Sequence, residues 1–285
     1  MPAVGVGTAS PDPVAHEATK SAVLAAIEVG FRHLDTACMY GTERPLGEAV
    51  AEAVRRGLVR SREELFVTSK LWCTLCHPDL VLPALGQTVE NLQMEYVDLY
   101  LIHWPVCMKP GPIAWPTRRE DAVPFDFEGV AIGVSNFTTR HLDRVLAATI
   151  PPAVNQRTLR AYCAGKGVHV AAYSALGGQD WSREGAGSAV LGSEVLAEIA
   201  RARGKTVAQV SLRWIYEQGV TWIVKSYNKE RLKQNLDIFG WELTNKDRRK
   251  ISKIPQRKFL TATALFSPEG EFTSVDLSEM DIVEE

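Results

Sequence analysis

The stretch VDLYLIHW, residues 97–104, is apolar at nearly every position. A strand with one wet face alternates in polarity. An unbroken apolar strand must be covered on both faces, the condition of a parallel sheet flanked by helices. Similar β-rich runs recur at residues 4–8, 33–37, 65–71, 130–136, 153–156, 169–176 and 222–227. Amphipathic helical patterns separate most of them. Asp12 and Pro13 read as the N-cap and first-turn proline of the first helix, and Gly30 as its stop. Leu82, Leu85, Val89 and Leu92 fall on one face of a later helix. Ser193 opens a helix that Gly204 ends, and Asn228 caps a final one reaching about Phe239. Eight strand–helix units in one series, with no break in composition, predict a single α/β domain over residues 1–285, a (β/α)8 TIM barrel rather than an open doubly wound sheet. Gly5 and Gly7 in VGVGT lack the third glycine of a dinucleotide-binding turn.

The net charge of −2, with 23% charged residues, argues against nucleic acid or an anionic membrane surface as a partner. No apolar run is long enough to span a bilayer, and MPAVGVGTASPDP has no basic region followed by an apolar stretch, so a cytoplasmic protein without a leader is expected. The cysteines are Cys38, Cys73, Cys76, Cys107 and Cys163, an odd number that fits reduced thiols. Cys73 and Cys76 form a lone C-x-x-C with no second pair and no histidine at zinc-ligand spacing, so no metal is expected.

Barrel enzymes place their chemistry at the C-terminal ends of the strands. Asp35 ends the second strand, Lys70 the third in FVTSKLW, and His103 the fourth, while Tyr40 lies in the loop after the second. Singly, Asp35 and Lys70 would read as a structural ion pair and His103 as a core histidine. Four such groups at consecutive strand ends converge on one pocket. A tyrosine hydroxyl ionises near pH 10. An ammonium about 4 Å away favours the phenolate by roughly 4 kcal/mol at an effective dielectric of about 20, which makes the phenol a usable acid. Asp35 would keep Lys70 charged, and His103 would orient a carbonyl oxygen. A site that protonates a carbonyl oxygen needs a partner that attacks the carbon, and a hydride donor fits. Near the other end, VKSYNKERLKQN places Lys225 and Ser226 at a strand end, a helix N-terminus behind them, and Arg231 one turn on. That is a phosphate-binding arrangement, or alternatively the basic face of a surface helix. Lys225, Lys229 and Arg231 around one anion suggest a phosphomonoester such as the 2′-phosphate of NADPH.

GFRHLDTACMYGTE, LFVTSKLW, VDLYLIHWP, AIGVSNF and VKSYNKERLKQN together resemble, in order, the aldo-keto reductases, over nearly the whole chain. The resemblance implies Tyr40 as general acid, completed by Asp35, Lys70 and His103. It implies Ser135, Asn136 and Gln156 at the nicotinamide carboxamide and Tyr173 stacked on the ring. Thr8, Ser174, Leu176, Lys225, Ser226, Arg231 and Asn235 match cofactor positions, with Gln234 where the family usually has glutamate, and Trp104 faces substrate. LWCTLCHPDLVLPAL, EYVDLYLIHWPVCMKPGP and the tail from residue 264 resemble the family's plant branch. That implies an NADPH-dependent monomer acting on a small carbonyl compound, such as a keto acid derived from nicotianamine. Lys109, Arg118 and Arg119 would meet a polycarboxylate or serve as solvated surface charges.

Three departures from the family pattern stand out. Residues 105–129 hold five prolines and no amphipathic repeat where a helix normally joins strands four and five. AVNQ passes at once into RTLRAYC, which removes the loop after strand six, and the chain opens on strand one. An uncovered helix-sized face forfeits on the order of 10 kcal/mol at about 25 cal/mol per Å² over some 400 Å², so weak folding and weak activity are expected. The competing functions are a catalytically silent NADPH-binding barrel and a lyase using Lys70 as a Schiff base.

Overall fold

The computed structural model describes residues 1–10, 15–124, 133–135, 157–177 and 190–255. In chain order the elements are β1 (Val4–Gly7), α1 (His16–Val29), β2 (His33–Asp35), α2 (Glu43–Arg55), β3 (Phe66–Leu71), α3 (Val81–Leu92), β4 (Leu99–Ile102), β5 (Cys107–Met108), β6 (Ala122–Val123), β7 (Gly133–Val134), α4 (Arg157–Gly165), β8 (Ala171–Ala172), α5 (Glu194–Arg203), α6 (Val207–Glu217), β9 (Thr221–Val224), α7 (Lys229–Leu236) and α8 (Asn245–Ile251). The chain forms two compact units that alternate along the sequence.

The first unit comprises Met1–Asp35, Pro45–Phe66 and Ala171–Arg257. Its strands are parallel in the order β2-β1-β9-β8. β9 is buried at all four positions, as expected of a strand covered on both faces. Helix α1 packs against α7, and α5, α6 and α8 enclose a core of Leu196, Ile199, Ala200, Val210, Leu243 and Ile251. Gly30 stops α1 in the left-handed conformation, and Gly204 does the same for α5. Ser193 caps α5 and Asn228 caps α7, each accepting from an amide three residues on. α1 begins at His16, with Ala15 before it and no side-chain cap bond there; Asp12 and Pro13 lie outside the described residues. One reading needs correction: α7 is not the last helix, since it ends at Leu236 and α8 follows behind a Thr244–Asp247 capping box.

The second unit comprises Thr36–Arg44, Val67–Val170 and Lys258–Glu285. Among its described residues β3, β4 and β7 run parallel, with β4 in the middle, and β5 and β6 form an antiparallel hairpin. Described residues 105–124, the first part of the span between β4 and β7, hold this hairpin and a 3₁₀ turn at Arg119–Asp121, and no α-helix. The segment is not idle: Val106, Met108 and Ala122 are buried against Trp72, Cys73 and Trp104, with Trp115 packed on them. Tyr100 and Ile102 are buried, whereas Leu99 and Leu101 on the opposite face of β4 are only half-buried. Helix α3 buries Ala84, Thr88 and Leu92 and leaves Leu82 exposed and Leu85 and Val89 half-buried. Of the apolar stripe read from its sequence, only Leu92 is fully inside. The sixth strand foreseen at 153–156 lies outside the described residues; the other seven are present.

Candidate active site

The turn after β2 is built for a side chain that must face inward. Cys38–Tyr40 forms one 3₁₀ turn, and Gly41 ends it at φ 64, a conformation that a β-carbon disfavours. The Tyr40 hydroxyl lies 3.2 Å from His103 Nε2, and the two rings meet edge to face with centroids 5.3 Å apart. Lys70, on β3 and buried, sets its ammonium 5.0 Å from the centre of the Tyr40 ring and donates to the Thr36 carbonyl at 2.8 Å. The second unit thus brings Tyr40, Lys70 and His103 together. Burial and then the Lys70 ammonium hold the His103 imidazole well below its usual range, so the ring is neutral. Its two nitrogens then offer one donor and one acceptor.

Stitches across the loop and β3 fix this geometry. The Thr36 amide donates to Thr68 O at 2.8 Å, the Cys38 thiol to Lys70 O at 3.2 Å, and Ser69 Oγ to the Glu43 carboxylate at 2.7 Å. Burial, then the Glu43 charge, pushes the Cys38 thiol up to about 12, so it serves as a donor and not as a nucleophile. Around His103 lies an aromatic wall. Trp72 meets it at 5.4 Å, and Trp115 stands 6.0 Å from both Trp72 and Trp104. Ser135 follows β7, and its amide donates to Ile102 O at the end of β4. Asn136 and Gln156 lie outside the described residues.

The first unit holds the remaining residues. Asp35 ends β2, where its carbonyl accepts from the Thr8 amide and hydroxyl at 3.1 and 3.4 Å. Tyr173, just after β8, is 41% exposed. Ser174 follows it with φ 49, and Leu176 is half-buried. Lys225, at the end of β9, lies over the Tyr227 ring at 5.0 Å and donates to Ser10 at 2.9 Å. Ser226 accepts from the Asn228 amide, Arg231 and Gln234 are exposed on α7, and Asn235 is buried. Lys229 departs from the three-cation reading, because its ammonium pairs with Glu28 at 2.8 Å. Lys225, Arg231 and the start of α7 still make a donor set suited to a phosphate.

On the hairpin, Lys109 pairs with Asp121 and Arg118 with Glu120, so both read as compensated surface charges. Cys73 opens a 3₁₀ turn and Cys76 follows it; both are buried and neither is in a disulfide. Sequence reasoning passed over Glu43, Trp72 and Trp115. A carboxylate placed just after the tyrosine turn was the available signal for the first.

Comparison with known proteins identifies the family. The model of the aldo/keto reductase family matches residues 3–256. Deoxymugineic acid synthase 1-B of Triticum aestivum is 51% identical over 302 residues, covering 97% of this chain and 95% of the wheat protein. An NADPH-dependent codeinone reductase 1-4 of Papaver somniferum is 48% identical over 298 residues, covering 95% and 92%. Both alignments are longer than the 285-residue chain, so these relatives carry internal residues that it lacks. Among solved structures, a Bombyx mori aldo-keto reductase in complex with NADP superposes with a TM-score of 0.82 at 33% identity over 92% of each chain. On motif order, strand-end chemistry and these matches, the chain is a member of the aldo/keto reductase family, with that family's (β/α)8-type fold.

Proposed function

We propose that the chain reduces a ketone or aldehyde to an alcohol with NADPH, and that Tyr40 is the proton donor. The carrying observation is the Tyr40 hydroxyl at 3.2 Å from the ring of a neutral, buried His103, with the Lys70 ammonium beside the same phenol. The dinucleotide, when bound, supplies a hydride to the carbonyl carbon. Tyr40 transfers its proton to the carbonyl oxygen, and the Lys70 charge stabilises the phenolate left behind until solvent reprotonates it. His103 donates a hydrogen bond to the same oxygen without competing for the proton. Asp35 keeps Lys70 charged. Lys225 and Arg231 take the adenosine phosphate, Ser226, Gln234 and Asn235 its surroundings, and Tyr173 the nicotinamide face. Ser135, with Asn136 and Gln156, holds the carboxamide, while Thr8, Ser174 and Leu176 complete the cofactor contacts and Trp104 faces the substrate.

About 50% identity to deoxymugineic acid synthases along nearly the whole chain supports, as the substrate to try first, the 3″-oxo acid derived from nicotianamine. The protein acts as a cytoplasmic monomer in this reading. The internal residues that the relatives carry and this chain lacks favour a second outcome, a cofactor-binding variant with little turnover. The test is NADPH oxidation by purified protein with ketones, aldehydes and the oxo acid, alongside cofactor titration. Turnover that Tyr40→Phe abolishes, with cofactor affinity kept, supports the reading. Equal rates for parent and Tyr40→Phe refute it, and binding without turnover leaves the silent variant.

A further inference from the structure

Glu43 is the first residue of α2 and is 3% exposed, an unusual place for a carboxylate. Its two oxygens are divided between two elements. Oε1 accepts from Ser69 Oγ on β3 at 2.7 Å, and Oε2 accepts from Asn91 Nδ2 on α3 at 2.9 Å. Chain position gives the pair of bonds its meaning. Tyr40 lies three residues before Glu43, with Gly41 and Thr42 between, and Lys70 directly follows Ser69. Ser69 and Lys70 point to opposite faces of β3. A bond that pins Ser69 to Glu43 on the outer face therefore fixes how the loop carrying Tyr40 registers against the ammonium on the inner face.

Resting on the reading of Tyr40 as proton donor, we infer that Glu43 is a positioning residue for the Tyr40–Lys70 pair, a clamp that holds the tyrosine turn to β3 and α3. It touches neither substrate nor cofactor in this role. The clamp works through hydrogen bonds, so an uncharged side chain of the same shape serves. In Glu43→Gln, the amide oxygen keeps the bond from Asn91 Nδ2 while the amide NH2 donates to a rotated Ser69 hydroxyl, so both bonds are restored.

The experiment compares Glu43→Ala, Glu43→Gln, Ser69→Ala and Tyr40→Phe in the full chain, reading kcat, substrate KM, NADPH affinity by fluorescence titration, and the thermal melt. A displacement of about 1 Å at the chemistry can cost about 100-fold, so Glu43→Ala is expected to lose about 30-fold or more in kcat. Its KM and NADPH affinity should stay within about threefold, and Glu43→Gln should keep kcat within about threefold, on the same principle that geometry is retained. Ser69→Ala, losing one of the two bonds, falls between. A parental kcat in Glu43→Ala overturns the inference. So does a loss of NADPH affinity in step with kcat, or a Glu43→Gln as damaged as Glu43→Ala. Should Glu43→Ala fail to fold, Ser69→Ala decides: lower kcat at unchanged affinity supports the clamp, and unchanged kcat removes it. Full activity in Tyr40→Phe sinks the functional reading itself, whereas an inactive Tyr40→Phe beside normal clamp variants sinks the clamp alone.

Discussion

His103 should make the fold sensitive to mild acid, by an amount its burial sets. The folded ring is held neutral by desolvation and by Lys70, while the unfolded ring titrates at its ordinary value near 6.5. Below that value the unfolded chain binds a proton that the folded chain refuses, so stability is full above about pH 6.5 and falls as pH drops. One such proton changes the unfolding free energy by up to about 1.4 kcal/mol per pH unit. Between pH 7.5 and 5.5 the integrated loss is about 1.4 kcal/mol, or about 2 °C in Tm for a chain of this length. His103→Gln removes this titration and leaves the other acids and histidines as they were. The parent should thus lose about 1.4 kcal/mol more than His103→Gln over that interval in urea melts at each pH. Parallel pH dependences in the two proteins would refute the claim that the folded imidazole stays neutral.

Three more outcomes follow from other parts of the molecule. Thr206 accepts from the Gln209 amide while the Gln209 side chain accepts from the Thr206 amide, so Thr206→Ala should cost about 1 kcal/mol in chemical denaturation. Leu101 is half-buried beside the fully buried Ile102; Leu101→Ala should cost about 1 kcal/mol and Ile102→Ala about 3, and equal costs would show that the Leu101 face of β4 is packed as closely as the Ile102 face. Arg231→Gln should weaken NADPH binding about tenfold while leaving NADH little changed, checked by titration with both, since a charge-assisted bond to phosphate is the interaction removed.

Much of this was legible in the chain because the relevant signals were local. A strand buried on both faces, such as TWIV, declares itself by apolarity, and caps such as Ser193 and Asn228 by their spacing. Tyr40, Lys70 and His103 were readable because a strand end fixes where a side chain goes. Long-range packing was less so. Helix α3 has apolar residues on two sides, and the choice of Ala84 and Thr88 over Leu82 as its buried face depends on what lies alongside. The β5–β6 hairpin has only two residues per strand, too short for any periodicity. The Lys229–Glu28 pair joins residues about 200 apart in sequence, which local reading does not reveal. The Glu43 bonds to Ser69 and Asn91 likewise join distant segments.

The thiols have a practical consequence. All five cysteines are free, four of them buried, and burial makes the half-exposed Cys38 and the buried Cys73 reluctant to ionise. Because the thiolate is the form that reacts, maleimides at neutral pH should leave these two native sulfurs almost untouched. A single cysteine introduced on an exposed helix position would then carry a fluorophore selectively, with the wild-type residues left in place.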